Sequence, residues 1–213
     1  MRVDAHIFSK KEEIAHAITH GIGALLSIAA LVVLIVFASI KGGTLLMVSV
    51  TIFGSTMLLM YLSSTLVHSL PIGKGKDVFL IIDHISIYFF IAGTYTPLLL
   101  LTIENTIGWI LFGIIWGLAL IGATLKVFFV KKFILLSTFF YILMGWLIVF
   151  AWGPLTKSLH YNGLVLLVAG GLIYTIGAVF YIWKTIPYHH VIWHVFVIGG
   201  STLHFFAILF YVI

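Results

Sequence analysis

Seven long apolar runs, interrupted by short breaks that carry charge, glycine or proline, make up nearly all of this sequence. A bilayer hydrocarbon core of about 30 Å takes roughly 20 residues of apolar helix to cross. On that ruler the runs predict spanning helices over approximately 18–40, 44–67, 78–101, 106–125, 133–152, 161–183 and 190–212. The breaks hold the usual terminators: Lys41-Gly42-Gly43, the stretch from Pro71 to Asp77, Glu104-Asn105, Lys131-Lys132, Gly153-Pro154 with Lys157, and Lys184 with Pro187. The expected fold is all-α, a single seven-transmembrane-helix domain over 1–213, without a separate soluble domain or an inverted repeat. The polar head ending at Glu13 is expected to enter the first helix as an interfacial turn. The first run reads as a retained span, because it is long and no small-residue cleavage site follows it.

Composition agrees with the pattern. The chain is 62% hydrophobic and 8% charged, with a mean hydropathy of +1.25, whereas a soluble domain has roughly a quarter of its residues charged. The expectation is an integral, multi-pass protein of a plasma membrane, a bacterial inner membrane, with the lipid bilayer as its partner. The net charge of +5 is scattered singly among the breaks, so it speaks to topology and not to nucleic acid. With alternating spans, Arg2, Lys10, Lys11, Lys74, Lys76, Lys126, Lys131, Lys132 and Lys184 fall on one side, and Lys41 and Lys157 on the other. The positive side is the cytoplasmic one, which predicts a cytoplasmic N-terminus and an external C-terminus. There is no cysteine. Disulfides, thiolate zinc sites and iron–sulfur clusters are excluded, and any metal must be held by His, Asp, Glu or water.

The polar residues inside the runs gather at one depth. His190-x3-His194 opens the last span, and residues four apart share a helix face, so two imidazoles can converge on one ion. The same pair also fits interfacial histidines bonded to neighbours. His68 ends the second span and Asp83 lies early in the third, so all four sit near the predicted cytoplasmic ends of their helices. Asp83 is the one acidic residue expected at membrane depth, where ionisable groups face the bundle interior and are functional by default; proton carriage and ion pairing are its other readings. Ser64 lies one turn before His68 on the same face, placed either to support the site or to bond its own helix carbonyl.

Around these, Glu12 and Glu13 are accounted for by the helix dipole, and His20 is deeper, able to reach the same cavity behind the ligands. His204 is about 15 Å further along the last helix than His194 and serves a buried hydrogen bond or the cavity wall. His189 points about 100° away from His190 and is a reserve candidate. His6 and His160 read as exposed or interfacial. The tract Ala92-Gly93-Thr94-Tyr95-Thr96-Pro97 suits close helix contact or a kink, as do the glycines from Gly108 to Gly122, Gly170-Gly171 and Gly199-Gly200. Trp109, Trp152 and Tyr161 fit interfacial belts.

Taken together, the Glu13…His20 stretch, Ser64-x3-His68, Asp83-His84 with the Ala92–Pro97 tract, and His190-x3-His194 with His204 resemble the hemolysin III branch of the progestin and adipoQ receptor family, to which the adiponectin receptors belong. The resemblance covers nearly the whole chain. It implies that His68, His190 and His194 are zinc ligands, that Asp83 holds the water on the metal, and that Ser64 neighbours the site. One position departs from the family pattern, which has Asn where this chain has His16. The family's receptors are associated with ceramide-hydrolysing activity and its bacterial members with haemolysis.

Three imidazoles plus water is the composition of an open, catalytic zinc site. The expected function is a zinc-dependent membrane hydrolase, with Asp83 and Ser64 as catalytic residues, cleaving an amide or ester bond of a ceramide-like lipid near the inner leaflet. Two alternatives stand beside it: a non-enzymatic receptor or sensor whose structural zinc ties the helices together, with Asp83 as a fourth ligand, and a lytic membrane protein. Retinal chemistry is excluded because the last span has no lysine for a Schiff base.

Overall fold

The structure, a computed structural model, describes residues 8–213; Arg2 and His6 lie outside them. Every element is helical: α1 (Lys10–Lys41), α2 (Thr44–Ser69), α3 (Lys74–Pro97), α4 (Thr106–Phe129), α5 (Ile134–Trp146), α6 (Trp152–Ser158), α7 (Tyr161–Ile182) and α8 (His189–Tyr211). A π turn over Leu98–Thr102 extends α3, and a 3₁₀ turn over Leu147–Ala151 joins α5 to α6. Among the described residues seven helical segments are long and apolar enough to cross a membrane, the fifth running through α5 and α6 from Ile134 to Ser158. The seven-span expectation holds, with boundaries displaced by a few residues at most ends.

The largest displacement is at the start. α1 begins at Lys10 and not near residue 18, because Ser9 and Glu12 form a reciprocal capping box. The Ser9 amide and hydroxyl both donate to Glu12 Oε2, at 2.9 and 2.7 Å, and the Glu12 amide donates back to Ser9 Oγ. At 1.5 Å per residue this makes α1 about 48 Å long, more than a hydrocarbon core needs. The extra turns carry Glu13 and His16 into the bundle as regular helix.

α1 packs on α2 and α8, α2 on α3, α3 on α4, and α7 on α8. Lipid tails are as apolar as leucine, so such contacts depend on close approach at small residues. A Cβ on Gly54 would strike Leu31 of α1, one on Gly93 would strike Thr56 of α2, one on Gly122 would strike Tyr88 of α3, and one on Gly200 would strike Tyr174 of α7. The expected glycine contacts are therefore selective: Gly113 and Gly117 face open space, and Gly171 and Gly199 meet only ordinary van der Waals neighbours.

Two cores result, one around Tyr95, Leu99, Ile115 and Leu155, the other around Leu34, Phe53, Tyr61 and Ile208. The outward faces leave Leu25, Ile40, Phe128 and Phe150 more than half exposed, as a lipid-facing surface requires. Trp109, Trp152 and Tyr161 are exposed near helix starts, where interfacial belts lie. Tyr95 stabilises the break in the fifth span: its hydroxyl accepts from the Ile148 amide at 2.9 Å and lies 2.9 and 2.7 Å from the Met144 and Gly145 carbonyls. A polar side chain inserted into the helix ladder is a recognised cause of such a break.

Candidate metal centre

Alternating helix directions bring the start of α1, the end of α2, the start of α3 and the start of α8 to one end of the bundle. His68, His190 and His194 meet there, each offering a ring nitrogen, and the three donor atoms lie within 4.8 Å of one another. The α8 pair has ring centroids 4.6 Å apart, and His68 stands 5.4 Å from each. The shared depth inferred from sequence is thus a real convergence of side chains.

Hydrogen bonds fix two of these rings in the form a metal needs. Thr19 Oγ1 has a single proton, directed at the Ala15 and His16 carbonyls at 2.8 and 2.9 Å. It must therefore accept from His194 Nδ1–H, 3.2 Å away, which leaves Nε2 with its lone pair. His68 Nδ1 lies 2.6 Å from Glu13 Oε2, so Nδ1–H donates to the carboxylate and Nε2 keeps the free lone pair. A carboxylate or hydroxyl behind a ligating imidazole is the usual support of a metal site. The donor set, neutral imidazoles with a backing carboxylate, suits a divalent first-row cation.

Asp83 and Ser64 face the same space from α3 and α2. Both line a cavity of about 150 Å³ that also touches His190 and His194. Ser64 thus faces the cavity beside Asp83. The Asp83 carboxylate is not among the described donor atoms that cluster within 4.8 Å of one another, although it lines the same cavity as His190 and His194. Away from the site the cavity wall is largely apolar, with Ile87, Phe90, Ile91 and Val197 in it, and is interrupted by Tyr141, Tyr174, Tyr181 and His204.

The other histidines sort cleanly. His20 stacks on His194, centroids 3.5 Å apart and planes at 13°, and lines the cavity behind the cluster. His204 does both things foreseen for it, donating Nε2–H to the Leu167 carbonyl at 3.1 Å and lining the cavity's far end. His189 is held by its Nδ1–H on the Phe180 carbonyl at 3.1 Å. His160 caps α7 on the exposed surface.

Two residues play larger parts than the sequence reading gave them. Glu13, assigned there only to the helix dipole, joins three helices: Oε2 meets His68, and Oε1 accepts from Lys76 Nζ at 2.9 Å. Asp83 is therefore not the only acidic residue at this level. His16 is fully buried among the histidines, its ring 4.5 Å from that of His68. The signal for both is the stripe Glu13-x2-His16-x3-His20, which lies on one helix face.

Comparison with known proteins follows this geometry. The family model described as haemolysin-III related matches residues 8–205. The chain is 58% identical over 205 residues to the Hemolysin-3 homolog of Bacillus subtilis (strain 168), covering 96% of each chain. It is 53% identical over 203 residues to Hemolysin-3 of Bacillus cereus, covering 95% of this chain and 93% of that one. The human Monocyte to macrophage differentiation factor is 34% identical over 169 residues, 74% of this chain and 67% of the relative. No solved structure matches.

Proposed function

The chain belongs to the haemolysin-III related family, as an integral, multi-pass protein of the bacterial plasma membrane, and from that premise we propose that it is a zinc-dependent hydrolase cleaving the amide bond of a ceramide-like lipid. The observation that carries this reading is the juxtaposition of three clustered imidazole donors with a carboxylate that lines a largely apolar cavity. A site that only tied helices together would be expected to close its fourth position with a protein ligand. Here Asp83, which faces the same cavity, does not lie within 4.8 Å of all three donor atoms, and His16, whose ring is 4.5 to 5.3 Å from the three, groups instead with Glu13 and His68.

When bound, the ion supplies an activated water and polarises the scissile carbonyl. The chain's own residues do the rest. Glu13 and Thr19 hold the His68 and His194 rings in their donor tautomers. Asp83 accepts the proton of the attacking water; the water oxygen bonds to the carbonyl carbon, the carbon–nitrogen bond breaks, and Asp83 returns the proton to the departing amine. Ser64 keeps the carboxylate aimed at that path. The apolar wall from Ile87 to Val197 receives a hydrocarbon chain and excludes bulk water. The site lies in the end of the bundle that carries most of the positive charge, which favours a substrate in the inner leaflet.

The test combines metal content with turnover. Chelator-washed, zinc-reloaded wild type should release fatty acid from a ceramide in vesicles, and His194→Ala should hold about one zinc fewer per chain and release none. Zinc-loaded wild type that hydrolyses no lipid amide would overturn the hydrolase; equal zinc in both proteins would overturn the site.

A further inference from the structure

His16 and His20 crowd the three-histidine position, and of the two His16 is the one whose ring approaches all three of its members. The His16 ring lies 4.5 Å from His68, 4.8 Å from His190 and 5.3 Å from His194. It is fully buried, and neither of its nitrogens has a hydrogen-bond partner among the described residues. Phe8 closes over it edge-on at 4.5 Å. Burying an imidazole with both nitrogens unsatisfied is unfavourable, and native structures rarely tolerate it without a ligand or an ordered water.

We propose that Glu13, His16 and His68 form a second position for a first-row divalent cation, adjoining the three-histidine position and sharing His68 with it. One donor atom from each of the three lies within 4.8 Å of the other two. Two imidazoles and a carboxylate form a donor set used for zinc and for iron(II). Lys76, donating at 2.9 Å to Glu13 Oε1 and at 2.7 Å to the Val67 carbonyl, fixes the carboxylate so that Oε2 is presented to the rings. The ion takes the place of the proton now shared by His68 Nδ1 and Glu13 Oε2. That proton is released, and His68 bridges the two positions through its two nitrogens. The carboxylate and the deprotonated ring together offset the cation's charge beside the Lys76 ammonium.

The inference rests on the proposed function only in sharing His68, and zinc stoichiometry separates the two. Full-length protein in detergent is chelator-washed, reloaded with zinc and counted by elemental analysis, beside His16→Asn and His190→Ala. His16→Asn keeps a polar side chain of similar reach, and size-exclusion elution and thermal unfolding check that each variant is folded. The expected result is about two zinc per chain in wild type and about one in each variant. One zinc in wild type, kept by His16→Asn and lost by His190→Ala, overturns the second position and leaves the three-histidine site standing. One zinc kept by His190→Ala and lost by His16→Asn supports the second position and overturns the first. A cobalt(II) titration gives an independent count, since two positions yield two successive changes in the d–d spectrum and a single step would again overturn the proposal.

Discussion

A single carboxylate, Glu13, ties α1 to His68 on α2 and to Lys76 on α3. Removing its charge while keeping its shape isolates the support it gives His68. In a His16→Asn background, Glu13→Gln should weaken zinc binding at the three-histidine position by about 10- to 100-fold, the range found for supporting partners of ligating histidines, read by competition with a chelator of known affinity. Unchanged affinity would mean that His68 is oriented by packing alone. Asp83 is tested differently, because its carboxylate is not among the donor atoms that cluster within 4.8 Å. Asp83→Asn should keep the zinc and lower amide hydrolysis by about 10²- to 10⁴-fold, the usual worth of a positioned acid–base group; loss of zinc would make Asp83 a ligand. His190 and His194 were legible in the sequence because residues four apart share a helix face, and His68 and Asp83 because their distances from the loops put them at the same depth. Glu13 and His16 were not read as site residues. Their helix was started near residue 18, although Ser9-x2-Glu12 announces the true start.

At the scale of elements, the spans follow from run length and the breaks from Gly, Pro and charge. What happens inside the third and fifth spans does not, since Leu98–Thr102 and Leu147–Ala151 are as apolar as their neighbours. The fifth span breaks where the Tyr95 hydroxyl, from the third, enters its backbone ladder. No local pattern encodes a partner some fifty residues away. Tyr95→Phe removes the acceptor of the Ile148 amide and the donor to the Met144 and Gly145 carbonyls. It should cost about 1–3 kcal/mol, the penalty of leaving a buried polar group unpaired, measured by unfolding in mixed detergent micelles. Zinc content should be unchanged, because the metal centre is built on α1, α2 and α8. A variant as stable as wild type would show that the break is set by packing and not by that hydroxyl.

For the molecule as a whole, the direction of insertion decides which leaflet the site can reach. The site end carries Lys74, Lys76, Lys131 and Lys184 at its helix starts and loops, with Lys131 paired to Asp77 at 2.9 Å and Lys76 to Glu13. At the opposite end lie Lys41, which donates to the Ile213 main-chain oxygen, and Lys157 in α6. Loops with the greater share of Lys and Arg stay in the cytoplasm, so the metal centre should face inward and draw on the inner leaflet. Because the chain has no cysteine, single substitutions report this without background. In intact cells a membrane-impermeant maleimide should label Lys157→Cys and spare Lys74→Cys, and lysed cells should label both. The reverse pattern would turn the cavity mouth toward the outer leaflet. It would leave the donor geometry untouched while changing which lipids the proposed hydrolase could meet.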